Sequence, residues 1–198
     1  MRRVAVLLSL AMVIALVAGC RQEDERRGST AAGSVDKAFA SGGEAELMLE
    51  SGSYDVKPSP DNRIHVQWDA ASGREARVSI TVNGRMAEVR TANTPENFHV
   101  TIALPAASDL YVRMTAGELT VGAVKGNKDI EVKAGNVTVI VGKSSEWAQV
   151  EASVTTGNLE APAFQSNDSG LFRSLRWSGP GQYRLHASLT AGNLRLES

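Results

Sequence analysis

The 198-residue chain has one cysteine, Cys20. No internal disulfide framework and no cysteine-rich zinc site can form from a single thiol. It has no surplus of charge of either sign: 21 Lys plus Arg against 22 Asp plus Glu, a net charge of -1. Nucleic-acid-binding proteins carry a basic excess or stripe, so that class is excluded. It has no apolar run of the roughly 20 residues that a membrane-spanning helix needs; the longest, Val4 to Ala18, is shorter and is broken by Ser9. No 11-residue window reads as an amphipathic helix. There is no G-x-S-x-G nucleophile elbow and no glycine-rich phosphate loop followed by Lys-Ser or Lys-Thr. His65, His99 and His186 stand far apart, without the H-x-H, H-x-x-x-H or H-E-x-x-H spacing of a metal site. Cofactors are therefore expected to be none.

What is present begins with a leader. Arg2 and Arg3 precede the apolar run, and Ala18 and Gly19 close it with small side chains. A charged start, a short apolar core and a small-residue end describe a secretory signal over residues 1–19. Leu16-Val17-Ala18-Gly19-Cys20 resembles the lipobox of bacterial lipoproteins. In that family the cysteine thiol takes a diacylglycerol and becomes the first residue after cleavage. The resemblance implies lipidation at Cys20 and attachment to a membrane, since two or three acyl chains anchor stably where one does not. In the family an Asp after the cysteine favours the inner membrane. Arg21 stands here, which points to the outer membrane, facing the periplasm.

Residues 20–43 carry the lipidated end and a spacer rich in charge, Gly, Ser and Ala. Such a composition buries too little surface to fold alone, so a flexible tether is expected. From 44 to 198 the pattern has period two. Ile64, Val66 and Trp68 alternate with His65 and Gln67; Val78, Ile80 and Val82 alternate with Ser79 and Thr81; Phe98, Val100, Ile102 and Leu104 continue the pattern. Alternation means strands with one buried and one wet face, which places the three histidines on wet faces. Asn83-Gly84 between two such runs predicts a tight hairpin turn. The expected class is all-β, a single domain.

The second half repeats itself. Thr115-Ala116-Gly117-Glu118-Leu119 returns as Lys133-Ala134-Gly135-Asn136-Val137, as Thr156-Gly157-Asn158-Leu159 and as Thr190-Ala191-Gly192-Asn193-Leu194. Apolar residues stand three and five positions before each glycine and two and four after it. The step from -3 to +2 is odd, so the alternation slips by one at the glycine. A corner or bulge does this, and glycine permits the positive φ that a corner needs. Gly117, Gly135, Gly157 and Gly192 are thus expected to be structural turn glycines in a solenoid-like stack of short strands. Ser51-Gly52-Ser53-Tyr54 reads as a weaker, earlier copy.

VRMTAGELTV, IEVKAGNVTV and LTAGNLRLE resemble the strand repeats of a bacterial putative-adhesin family of unknown function. The resemblance covers roughly residues 46–198. It implies a secreted or envelope-attached domain of β-helix or β-roll type, and it supplies no catalytic residues.

Two functional readings follow. The first is a non-enzymatic envelope lipoprotein whose β-domain serves binding, adhesion or scaffolding, with an envelope protein or glycan as its unnamed partner. The alternative is a carbohydrate-active enzyme on a β-helix, for which Glu131 and Glu151, on wet faces, are the acids of interest. Arg173, Arg176, Trp177 and Tyr183 mix bases with aromatics, as a sugar or polyanion surface does and as the closing end of a β-stack also does. Asn167-Asp168-Ser169 offers a single carboxylate, too few for calcium, and reads as a surface loop. Trp68 and Trp147 are assigned to core or rim.

Overall fold

The computed structural model describes residues 32–69 and 76–198, with backbone alone for 166–169. The signal segment, Cys20 and the spacer as far as residue 31 lie outside the described residues. Eleven strands follow in order: β1 (Ala32–Ala38), β2 (Gly43–Ser59), β3 (Arg63–Asp69), β4 (Arg77–Asn83), β5 (Met86–Ala92), β6 (His99–Pro105), β7 (Ser108–Val121), β8 (Lys128–Ile140), β9 (Trp147–Ala161), β10 (Ser166–Ser178) and β11 (Tyr183–Glu197). Two single 3-10 turns, Ser144–Glu146 and Pro162–Phe164, are the other regular elements among the described residues. The chain is all-β, as the alternation predicts.

All strands join one sheet that does not close, in the order β1-β3-β6-β2-β7-β8-β11-β9-β10, with the β4–β5 hairpin attached to β2 through β5. Five strands, β2, β7, β8, β11 and β9, run parallel and in register across one glycine column: Gly52, Gly117, Gly135, Gly192 and Gly157. β10 adds antiparallel, with Gly170 opposite Gly157. Burial follows the slipped phase. In β7, Leu110, Val112 and Met114 are buried before the glycine, and Leu119 and Val121 after it. Each long strand therefore has two halves whose apolar sides face one core. Fully burying a Val, Leu or Ile stabilises by roughly 1.5–3 kcal/mol, and the halves of β7 and β8 alone contribute nine buried apolar residues: Leu110, Val112, Met114, Leu119 and Val121 in β7, and Ile130, Val132, Val137 and Val139 in β8.

The corner also explains the short connections. Parallel neighbours ordinarily need a long crossover, yet β7 and β8 are joined by residues 122–127. That segment runs beside the start of β7: Ser108 N–H donates to Lys125 O, Leu110 N–H to Asn127 O, and Lys125 N–H to Ala106 O. Val124 of this segment is buried.

At β2 the two halves take different neighbours. Glu44 to Met48 pair with β5, and Ser53 to Ser59 pair with β6. The first half is continued by the β4–β5 hairpin and the second by β6, β3 and β1. The hairpin loop is Gly84-Arg85, with Asn83 paired to Met86 and Gly84 at a φ of 62°. Glycine at the first loop position suits a tight hairpin turn.

Three expectations are corrected. The tether does not extend to residue 43: Ala32–Ala38 pairs antiparallel with β3, and Phe39, 2% exposed, fills the core. One half-buried Val35 and one buried ring outweigh the polar composition, because β3 supplies the partner edge. The strands that carry the glycines are long, from 13 to 17 residues. Neighbours in the sheet do not follow chain order: β11 lies between β8 and β9. Residues 167–169 belong to β10, paired with β9, and are not a loop.

Candidate functional site

The outward side chains of the first half-strands form a polar face of aligned rows. Six residues before the glycine column stand Glu46 (β2), Tyr111 (β7), Asp129 (β8), His186 (β11) and Glu151 (β9); Glu88 on β5 and Arg176 on β10 extend the row at its ends. Four before it stand Met48, Arg113, Glu131, Ser188 and Ser153, with Arg90 and Ser174 at the ends. Parallel pairing holds such neighbours about 4.8 Å apart along each row.

Charges on this face are tied to one another. Arg113 reaches Asp129 Oδ1 and Glu131 Oε2, each at 3.2 Å. Arg90 Nε donates to Glu88 Oε1 at 3.0 Å, and this pairing raises the Arg90 pKa. Glu151 accepts from Gln149 Nε2 at 3.1 Å and lies 3.9 Å from Arg176 Nε. Glu131 and Glu151, the acids of the enzymatic alternative, are on different rows and are separated by β11. His186 lies in register between Asp129 and Glu151. Among the described residues no three His, Cys, Asp or Glu converge on a metal position.

Two concavities lie on the face. A groove of about 460 Å³ opens where β5 parts from β2, lined by Met48, Glu50, Arg90, Arg113, Lys133 and Thr190 among others. Thr91 marks the fork: its hydroxyl accepts from Glu50 N–H at 3.0 Å and bonds the Tyr54 hydroxyl at 3.0 Å. A second groove of about 340 Å³ is lined by Tyr111, Asn127, Asp129, Gln149, Arg184 and His186. Both sizes suit small ligands or polymer segments.

Past the column, the asparagines that follow Gly157, Gly192 and Gly135 form an amide ladder. Asn158 Nδ2 donates to Asn193 Oδ1 at 2.8 Å, and Asn193 Nδ2 to Asn136 Oδ1 at 2.7 Å. Arg195 sits beside the ladder, bound to Glu160 at 2.6 Å, and its pKa is raised by that pairing.

Among the described residues, one charged side chain is inside. Lys128, 3% exposed, shares the parity of Ile130 and Val132 and so enters the core. Its Nζ donates to Val124 O at 2.6 Å and Gly126 O at 3.2 Å and lies 5.0 Å from the Trp147 ring centre. Burial lowers its pKa to about 8, against weaker opposing pulls from Asp109 and Glu146. It closes the turn before β8 rather than facing a ligand.

The four repeat glycines come together in one column at φ of 117° to 135°. Cys20 lies outside the described residues. Gly170 was not foreseen as a member of the column. On an antiparallel strand the motif reads backwards, and its third following position is Arg173 instead of an apolar residue. Trp68 and Trp147 are buried; Trp177 and Tyr183 are half-buried against the core.

No family model matches the chain, and no curated protein matches it. Among solved structures, the chain is similar to a putative cell adhesion protein from Clostridium sporogenes at 14% identity, over 84% of this chain and 99% of that one, with a TM-score of 0.50. It is also similar to a putative adhesin from Parabacteroides distasonis (13% identity, 84% and 68% covered, TM-score 0.30). A putative adhesin from Bacteroides fragilis gives 10% identity, 85% and 98% covered, and a TM-score of 0.31. The first likeness is one of fold.

Proposed function

We propose that this chain is a lipid-anchored bacterial envelope protein, held at Cys20 and facing the periplasm from the outer membrane, whose roll-like β-domain binds a partner without chemical turnover. The observation that carries the reading is the pairing of the exposed acids. Asp129 and Glu131 share Arg113, Glu151 contacts Arg176 and Gln149, and Glu160 binds Arg195. General acid–base catalysis needs a proton donor and an acceptor in environments that separate their pKa values. Each of these four acids lies within 3.9 Å of an arginine nitrogen. A rigid face of mixed charge and hydroxyl groups with two shallow grooves suits recognition of an envelope glycan or protein. The fold likeness to a protein described as a putative cell adhesion protein is consistent with this reading.

Incubating the full chain with a panel of bacterial and plant glycans tests it. Binding without product is expected, and Arg113→Ala weakens it. Reproducible product formation that disappears in Glu131→Gln or Glu151→Gln would overturn the proposal in favour of a carbohydrate-active enzyme.

A further inference from the structure

We infer that the outer edge of β10 pairs antiparallel with the same edge of a second copy of this chain. β10 ends the strand order: β9 bonds one side, and among the described residues no strand bonds the other. An open edge is a row of amide donors and carbonyl acceptors that templates another strand, and proteins commonly blunt it with proline and charged side chains, lysine above all. The β10 sequence, SNDSGLFRSLRWS, has no lysine or proline; its charges are Asp168, Arg173 and Arg176. It presents Leu171 and Phe172 instead, 61% and 79% exposed, the most exposed large apolar side chains among the described residues. Phe172 also holds a φ of 55°, an uncommon conformation for a bulky residue, in the corner beside Gly170.

The charge order of the strand selects both the occupant and its direction. The one acid, Asp168, lies in the first half, and both bases, Arg173 and Arg176, lie in the second. Parallel self-pairing sets like charges together. Antiparallel self-pairing sets Asp168 of each copy against the basic half of the other, with Leu171 and Phe172 near the centre of a two-fold contact. β10 already takes one antiparallel neighbour, with Gly170 opposite Gly157, so its corner accommodates that sense. Arg176 has only a 3.9 Å approach to Glu151 to give up.

The contact has a directional consequence. β1, nearest the N-terminus, stands at the other end of the strand order. Eight strand steps of about 4.8 Å separate it from β10, roughly 40 Å. A β10–β10 pair therefore sets the two β1 strands, which follow the anchor proposed above, at opposite ends of the combined strand order. The pairing itself does not rest on that anchor.

Cross-linking through one introduced cysteine, beside the native Cys20, tests the pairing in the full chain, in the cells that make it. Leu171→Cys is expected to give a disulfide-linked dimer above the background of the unsubstituted chain. Thr81→Cys, exposed on β4, is expected to give none. Adding Asp168→Arg to Leu171→Cys lowers the dimer yield several-fold, and adding Arg176→Asp as well restores it. Absence of dimer at Leu171, or a yield indifferent to these charge reversals, overturns the inference. Removing the anchor by Cys20→Ser, which also removes the native thiol, leaves the Leu171→Cys dimer unchanged and so separates the pairing from the proposed localisation.

Discussion

Gly192 lies directly against Gly135: the two are register partners on β11 and β8, and a Cβ built on Gly192 falls on the carbonyl oxygen of Gly135. The relationship repeats along the column. A Cβ on Gly135 meets Gly117 O, one on Gly117 meets Gly52 O, and one on Gly157 meets Gly192 O. Backbone, not a flexible side-chain tip, is the obstacle each time.

Gly192→Ala is therefore expected to destabilise strongly. Positive φ alone costs a non-glycine residue about 1–3 kcal/mol, and forcing a methyl into packed backbone adds about 1–3 kcal/mol. Gly142→Ala is the control: its φ is 63°, but nothing lies within 4 Å of the added Cβ. Denaturant unfolding compares them. Equal losses would show that φ, rather than glycine-on-glycine stacking, sets the requirement.

Lys128 gives a pH signature. Burial holds its amine at about 8 in the fold against an ordinary 10.5. Between those values the unfolded chain binds the proton and the folded chain does not, so stability rises with pH. The penalty is full below pH 8 and is removed as pH approaches 10.5, a swing on the order of 3 kcal/mol. Tyr54 acts oppositely and higher: burial raises its hydroxyl to about 12, so its contribution is lost as pH rises from 10 to 12. Stability is expected to climb from pH 8 to 10 and then turn over. In Lys128→Met the climb is expected to vanish; an unchanged slope would contradict the burial of the charged amine.

Phe39 tests where the folded unit starts. Phe39→Ala removes a ring packed against Gly43 and is expected to cost about 3–5 kcal/mol. A chain cut to begin at residue 44 loses β1 as well and is expected to unfold at lower denaturant still. Full stability in that shortened chain would show that the strand over 32–38 contributes nothing.

Much of the architecture was legible because two local signals are strong. Alternation at Ile64, Val66 and Trp68 gave a half-buried strand, and the odd step around Gly135 gave the corner. The neighbour order was not legible. Ala134-Gly135-Asn136 and Ala191-Gly192-Asn193 present nearly identical edges, so the local pattern fits either chain-order stacking or insertion of β11. β1 was hidden because its stabilisation comes from the β3 edge and from Phe39, not from its own composition. Lys128 carried a readable signal, its parity with Ile130 and Val132, that the charge of lysine overrides in a reading by residue type. In the polar face, the individual acids were visible, but their arginine partners come from neighbouring strands whose register only the fold reveals.

The anchor is the claim on which the envelope assignment stands, and Cys20→Ser tests it most directly. Wild-type and substituted full chains are fractionated, with lipid incorporation followed by a labelled fatty acid. The account predicts label and membrane association in the wild type, and loss of both, with stalled processing or release, in Cys20→Ser. Equal processing and equal membrane association of the two proteins would contradict it.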